Sequence, residues 1–452
     1  MQKKLLTMAV AGALAAPCIA LAQSSVEVYG TVNMAFGKFK YGDGATARTA
    51  DGAARTTVGA DASKWDVSQG ASNYGFRGRE NVGGGLTAWF QIEQNAPMER
   101  SSNQAIKPAS RNSAVGIQGA FGNVFLGQWT TPWADLDALW GIGTVGYWGP
   151  VTSIIGRRET TGTAPNFNCV GGEGTTPGAT TFVNNVSICD ALPGGGGVGH
   201  AFWRRASQSV SYQSPVFSGV QIKGLYQTDE GKATVGATTA DPSLWSTSVQ
   251  WAGMGGRARV GAAYDKHKDF TTPGKSDTGW SVKGGWNFGV VDIGLAMERM
   301  TYKCGTIPFS TTSAATGVVT AAGARPALCQ ADGDIKAQQY AIALAVPVGQ
   351  GSIRASYSKA SDLQGVVGVN NGAHISDTGA KEFNFGYEHR FSKRTNVGVG
   401  YAKIDNRPNA QFTWTGAPPN QGGGTANTAA GANTPLFGSQ VSTYFASITH
   451  RF

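Results

Sequence analysis

The ionisable side chains of this chain form no set suited to making or breaking a bond, yet many recur on one parity of alternating segments. Lys223, Arg259, Lys283 and Arg354 stand opposite the apolar parity, and so do Asp292, Glu298 and Glu388. Charges arranged along the wet face of a sheet act on water and ions through their field rather than by proton transfer. The five histidines support the same conclusion. His389 and His450 share the apolar parity near tight turns. His200, His267 and His374 stand in or beside different long connections, and none has a nucleophile-like context. A barrel enzyme using His with Asp or Ser on its strand tips is the rival reading, and no such set is found. Gly141-Ile-Gly-Thr-Val-Gly146 has the spacing of a dinucleotide loop, but no helical pattern follows it. No metal or cofactor site is expected.

Cysteine gives a structural signal. Beyond residue 22 four remain: Cys169, Cys189, Cys304 and Cys329. None of the spacings suits a metal, and four cysteines allow three connectivities. Pairing Cys169 with Cys189 and Cys304 with Cys329 closes the shortest loops. In an oxidising compartment each bridge would contribute about 3 kcal/mol through loop entropy.

The elements that must hold these groups are strands. In Leu86-Thr-Ala-Trp-Phe-Gln-Ile92, positions 86, 88, 90 and 92 are apolar; Trp280, Val282, Trp286 and Phe288 share one face, with Ser281, Lys283 and Asn287 opposite. Such period-2 patterning fits lipid-facing and lumen-facing positions of a barrel. Composition agrees: charged residues are 14%, against about 25% for a soluble domain. Glycine supplies 65 of 452 residues, roughly twice the usual ~7%, which suits tight turns and disfavours helices. No stretch past residue 22 approaches the ~18 apolar residues of a spanning helix.

At the N-terminus, Lys3 and Lys4 precede an apolar run and Ala20-Leu21-Ala22, the pattern of an export signal cleaved after Ala22. Residues 1–22 are therefore expected as the signal and 23–452 as one barrel domain. Without Lys3 and Lys4 the formal charge falls from +9 to +7, which for an exported chain points to a pore or surface field rather than nucleic acid. At the other end an alternating strand finishes on Phe452, the expected barrel-closing residue.

Seven short connections alternate with eight long ones, roughly 40–64, 96–110, 132–202, 230–243, 269–276, 303–335, 362–379 and 407–437. That pattern requires sixteen antiparallel strands with both termini on the tight-turn side. Outer-membrane barrels have short periplasmic turns and long extracellular loops. The third connection, about 70 residues, far exceeds ordinary loops and is expected to be functional.

Several stretches resemble the general diffusion porins of Gram-negative β-proteobacteria of the Burkholderia, Bordetella and Neisseria kind. They are Ser25-Val-Glu-Val-Tyr-Gly-Thr-Val-Asn33, the Gly75–Glu93 segment with its glycine-rich turn, Phe121–Pro132, Ser209–Gly219 and the terminal Thr449-His-Arg-Phe452. The resemblance implies an all-β, multi-pass outer-membrane barrel of sixteen strands, assembled as a homotrimer among outer-membrane lipid and lipopolysaccharide, with the third loop folded into the pore. It implies passive diffusion of ions and small hydrophilic solutes, with a substrate-selective channel as the alternative.

Carried over residue by residue, the resemblance places Arg77, Glu93, Arg111, Asp135, Asp137 and Arg205 at the constriction. Arg205 is opposite in parity to Val210 and Tyr212, which points it inward. Arg111 has outward parity and requires a bulge or a position above the membrane. Asn73 and Gln128 stand where the family commonly has arginine, so only a weak to moderate anion preference is expected.

Overall fold

The computed structural model describes residues 25–42, 62–96, 98, 108–155, 202–228, 233–235, 238–270, 274–304, 311–312, 319–320, 333–365, 377–407, 410, 412–414 and 438–452. The export signal, Arg157, Arg158, the side chain of Cys304 and the other three cysteines of the expected bridges lie outside this set.

The first strands are β1 (Ser25–Tyr41), β2 in two segments (Ala62–Gln69 and Asn73–Gly83), β3 (Leu86–Asn95), β4 (Ser113–Gly119) and β5 (Gly122–Thr130). After the third loop come β6 (Arg205–Gln213), β7 (Val220–Gln227), β8 (Ser243–Gly253), β9 (Ala258–Lys268), β10 (Ser276–Asn287) and β11 (Asp292–Cys304). The last are β12 (Gly333–Val348), β13 (Gly351–Ala360), β14 (Ala380–Arg390), β15 (Thr395–Asn406) and β16 (Gln440–Arg451). Each pairs antiparallel with its sequence neighbour, and β16 pairs back onto β1 from Thr31↔Arg451 to Tyr41↔Val441. The expected barrel of sixteen strands is closed, which leaves no open sheet edge.

Closure continues to the terminal residue. Gly30 and Phe452 exchange backbone hydrogen bonds of 3.2 and 3.1 Å. A Cβ on Gly30 would lie 2.6 Å from the Phe452 ring, so this glycine makes room for the aromatic. Gly83, Gly84 and Gly85 all have positive φ in the β2–β3 turn, a conformation that costs glycine nothing.

The alternation has the expected consequence. On β10, Trp280 and Val282 point outward and are exposed, whereas Ser281 and Lys283 point inward and are buried. Barrel interiors of this size can hold water, but here the third connection enters the lumen. It begins with α1 (Pro132–Asp135) and a 3-10 turn (Leu136–Leu139), and a second 3-10 turn spans Pro150–Thr152. Trp140, Val145, Trp148, Ile154 and Ile155 are buried against Ala341, Ala343, Ala360, Ala380, Ala402 and Phe445. Strands β12–β15 thus present alanines where the loop docks, and the interior core forms between loop and wall.

Candidate functional site: the narrowed lumen

The third loop is set by its first turn. Thr131 Oγ1 accepts a hydrogen bond from Ala134 N at 3.4 Å, and Pro132 occupies the first helical turn, a favoured helix start. The turn directs Asp135 and Asp137 toward the basic wall. Asp135 pairs with Lys223 on β7 at 3.2 Å. Burial pushes the Asp135 carboxyl up, while Lys223 and, less strongly, Arg205 pull it down.

Asp137 is held more tightly. Its carboxylate accepts from Lys283 Nζ at 2.7 Å, Trp140 Nε1 at 3.0 Å and Trp203 Nε1 at 2.6 Å. Lys283 also pairs with Glu298 on β11 at 2.8 Å, and Glu298 accepts from Trp133 Nε1 at 3.0 Å. Lys283 and Glu298 are 0% exposed, so this pair is a structural clamp removed from the water path, with Asp137 at its edge.

The wall also captures loop carbonyls. Arg259 Nε donates to Leu139 O at 2.6 Å, Arg354 Nη1 donates to Thr144 O at 3.1 Å, and the Asn384 amide donates to Trp148 O. At the far end, Ser153, Ser358 Oγ (3.2 Å) and Trp414 Nε1 (2.8 Å) all donate to the buried Glu382 carboxylate. A carboxylate with three donors is tolerable in a buried place.

Facing the loop, β1–β4 carry a ladder of polar groups. Arg77 makes a two-pronged contact with Glu27 at 2.8 Å and lies 4.8 Å from the Tyr29 ring centre. Tyr29 donates to Glu93 at 3.0 Å, and the other Glu93 oxygen accepts from Arg111 Nε. Arg111 also reaches Asn95 at 3.3 Å, and Gln128 donates to the Arg111 carbonyl at 3.1 Å. Arg111 meets inward Glu93 although its parity is outward, because β4 begins only at Ser113 and the alternation does not extend back to it.

Arg205 needs a different correction. Gly127 pairs with Ser209 and Trp129 with Ala206, leaving a bulge in β6 at Gln208, whose φ is 48°. Parity counted from Val210 and Tyr212 therefore does not carry to Arg205. The strand end brings its Nε to Asn112 Oδ1 at 3.1 Å and its guanidinium over Trp203 at 5.8 Å. The six residues inferred from sequence thus fall into two groups. Arg77, Glu93 and Arg111 share the β1–β4 wall, and Asp135, Asp137 and Arg205 gather where the loop leaves and rejoins the barrel.

Sequence reasoning missed the clamp partners. Lys223, Arg259, Lys283 and Arg354 were legible as inward charges, but each is paired: with Asp135, Asp292, Asp137 and Glu298, and Glu388. The tryptophans at 133, 140, 148 and 203 and the alanines at 337, 341 and 343 were the available signal for a docked loop. His267 is buried inside and stacks on Phe202 at 4.3 Å. Among the described residues no cluster of His, Cys, Asp and Glu is fit to hold a metal ion.

A family model described as Gram-negative porin matches residues 7–409. Outer membrane porin protein 32 of Delftia acidovorans is 25% identical over 424 residues, 90% of each chain. The major outer membrane protein P.IB of Neisseria gonorrhoeae is 32% identical over 73 residues, covering 16% of this chain and 20% of that one. Among solved structures, the anion-selective porin from Comamonas acidovorans superimposes with a TM-score of 0.58 at 20% identity, covering 95% of this chain and 100% of that one. The trimer form of OmpT from Vibrio cholerae gives 0.53 at 14% identity, covering 95% and 99%.

Proposed function

The chain belongs to the Gram-negative porin family and is a multi-pass outer-membrane barrel, and from that premise we propose that it is a water-filled channel for passive diffusion of ions and small hydrophilic solutes, with a weak anion preference. The carrying observation is charge balance in the lumen. Glu27, Glu93, Asp135, Asp137, Asp292, Glu298 and Glu388 each have a cation within 3.2 Å. Across the chain Lys and Arg outnumber Asp and Glu by 37 to 28, so the remaining field is positive. Pairing at the narrow zone keeps it small, and the preference is accordingly weak.

In this reading Arg77, Glu93, Arg111, Asp135, Asp137 and Arg205 flank the ion path. Residues 1–22 serve export, and 23–452 form the single barrel domain. Three copies associate, with lipid and lipopolysaccharide around them. The structural relative in trimer form and an outward stack of Phe36 on Trp65 at 5.0 Å support association. The protein acts as a channel rather than as an enzyme. Single-channel conductance measured against KCl concentration tests the general pore. Conductance should rise in near proportion to salt, and saturation by one solute would instead favour a substrate-selective channel.

A further inference from the structure

Beneath the docked third loop, on the tight-turn side, the lumen widens into a recess of about 590 Å³. Its wall carries an unbroken inward row, Arg390↔Asn396↔Thr449↔Asn33, across β14, β15, β16 and β1. Arg451 is the next inward residue on β16, opposite Thr31, and Lys393 projects from the β14–β15 turn into the same space. The loop roofs it with Gly141, Thr144, Gly146 and Tyr147.

One acid lines this recess, and it is engaged: Glu388 lies 2.8 Å from Arg354. Arg354 is also committed to Ser352 and to the Thr144 carbonyl. Asp292, in the adjoining recess, is held by Arg259 at 2.6 Å. Among the described residues no carboxylate pairs with Arg390, Lys393 or Arg451. Three exposed cations therefore line one recess beside the neutral side chains of Asn33, Asn396 and Thr449.

We infer that this recess is a binding site for small polyvalent oxyanions of the phosphate or polycarboxylate class, reached from the tight-turn mouth. Attraction scales with ligand charge, so the site distinguishes a multiply charged oxyanion from chloride. Its volume falls within the range of small-molecule sites. Because the recess opens through the lumen, the inference rests on the reading of the barrel as an open pore.

Pyrophosphate is the probe. Added to the tight-turn side of a bilayer holding the full-length protein in KCl, it should reduce the current in a concentration-dependent way, and more strongly than from the loop side. The triple variant Arg390→Gln, Lys393→Gln, Arg451→Gln should raise the half-blocking concentration about twentyfold, since three screened attractions each near RT are lost. Open-channel conductance without pyrophosphate should be retained. An undiminished block in the triple variant, or no block of a conducting wild-type pore, would overturn the site. Phosphorus NMR on the detergent-solubilised protein reads binding without conduction. Broadening of the pyrophosphate line by wild type and not by the triple variant supports the site even if the pore reading fails, and equal broadening by both removes it.

Discussion

Replacing Lys283 with methionine removes the most deeply buried of the cations that tie the third loop to the barrel wall. Asp137 and Glu298 lie 2.7 and 2.8 Å from its ammonium, with side-chain exposures of 12% and 0%. Both carboxylates would keep their tryptophan donors but lose their counter-charge. Leaving one buried charge uncompensated costs about 3–5 kcal/mol. That shifts the balance between docked and released loop by roughly 10²–10³-fold or more. The barrel should still assemble, because its strand ladder does not pass through this contact. In single-channel recordings the Lys283→Met pore should therefore show larger open-state noise and a lower voltage threshold for closure than wild type. The double variant Lys283→Met/Glu298→Gln should recover part of the loss by removing one of the two stranded charges. Recordings of Lys283→Met indistinguishable from wild type would refute the assignment of this triad as the loop's anchor.

Other perturbations have defined outcomes. Arg205→Ala removes one positive charge beside Asp135; at ~6 Å, halved by ~0.1 M salt, that is about 0.35 kcal/mol, acting oppositely on potassium and chloride. The permeability ratio should move about threefold toward cations, read as a reversal-potential shift. Gly294→Ala places a methyl against the Trp140 carbonyl, an overpacking that costs roughly 1–3 kcal/mol and should change conductance by displacing the loop. Glu382→Ala leaves the Ser153, Ser358 and Trp414 donors unmatched, and faster proteolysis of the third loop in the folded barrel should report it. Reducing the expected Cys169–Cys189 bridge should alter conductance or gating, and unchanged traces would count against that bridge.

The barrel itself was legible because period-2 alternation and connection length are local properties. Trp280, Val282 and Lys283 declare their faces without knowing their neighbours, and alternating short and long connections count the strands. The interior was much less legible. Parity tells which side a group occupies but not what meets it, so Lys283 read as an ion-path charge when it is a buried clamp. Parity also fails wherever the ladder slips, as at Gln208 before Arg205 and ahead of Ser113 beside Arg111. The docked loop left a trace in the spaced tryptophans and in the alanines of β12. Reading it requires knowing that strands 150 or more residues away in sequence share one lumen with the loop, and no local pattern carries that.

The most direct test of an open, weakly anion-preferring pore is the zero-current potential of the purified full-length protein across a bilayer in a KCl gradient. A modest potential of the sign set by faster chloride movement, accompanied by stepwise ohmic conductance, is the expected result. A potential of the opposite sign, or a membrane that gains no conductance at all, would contradict it.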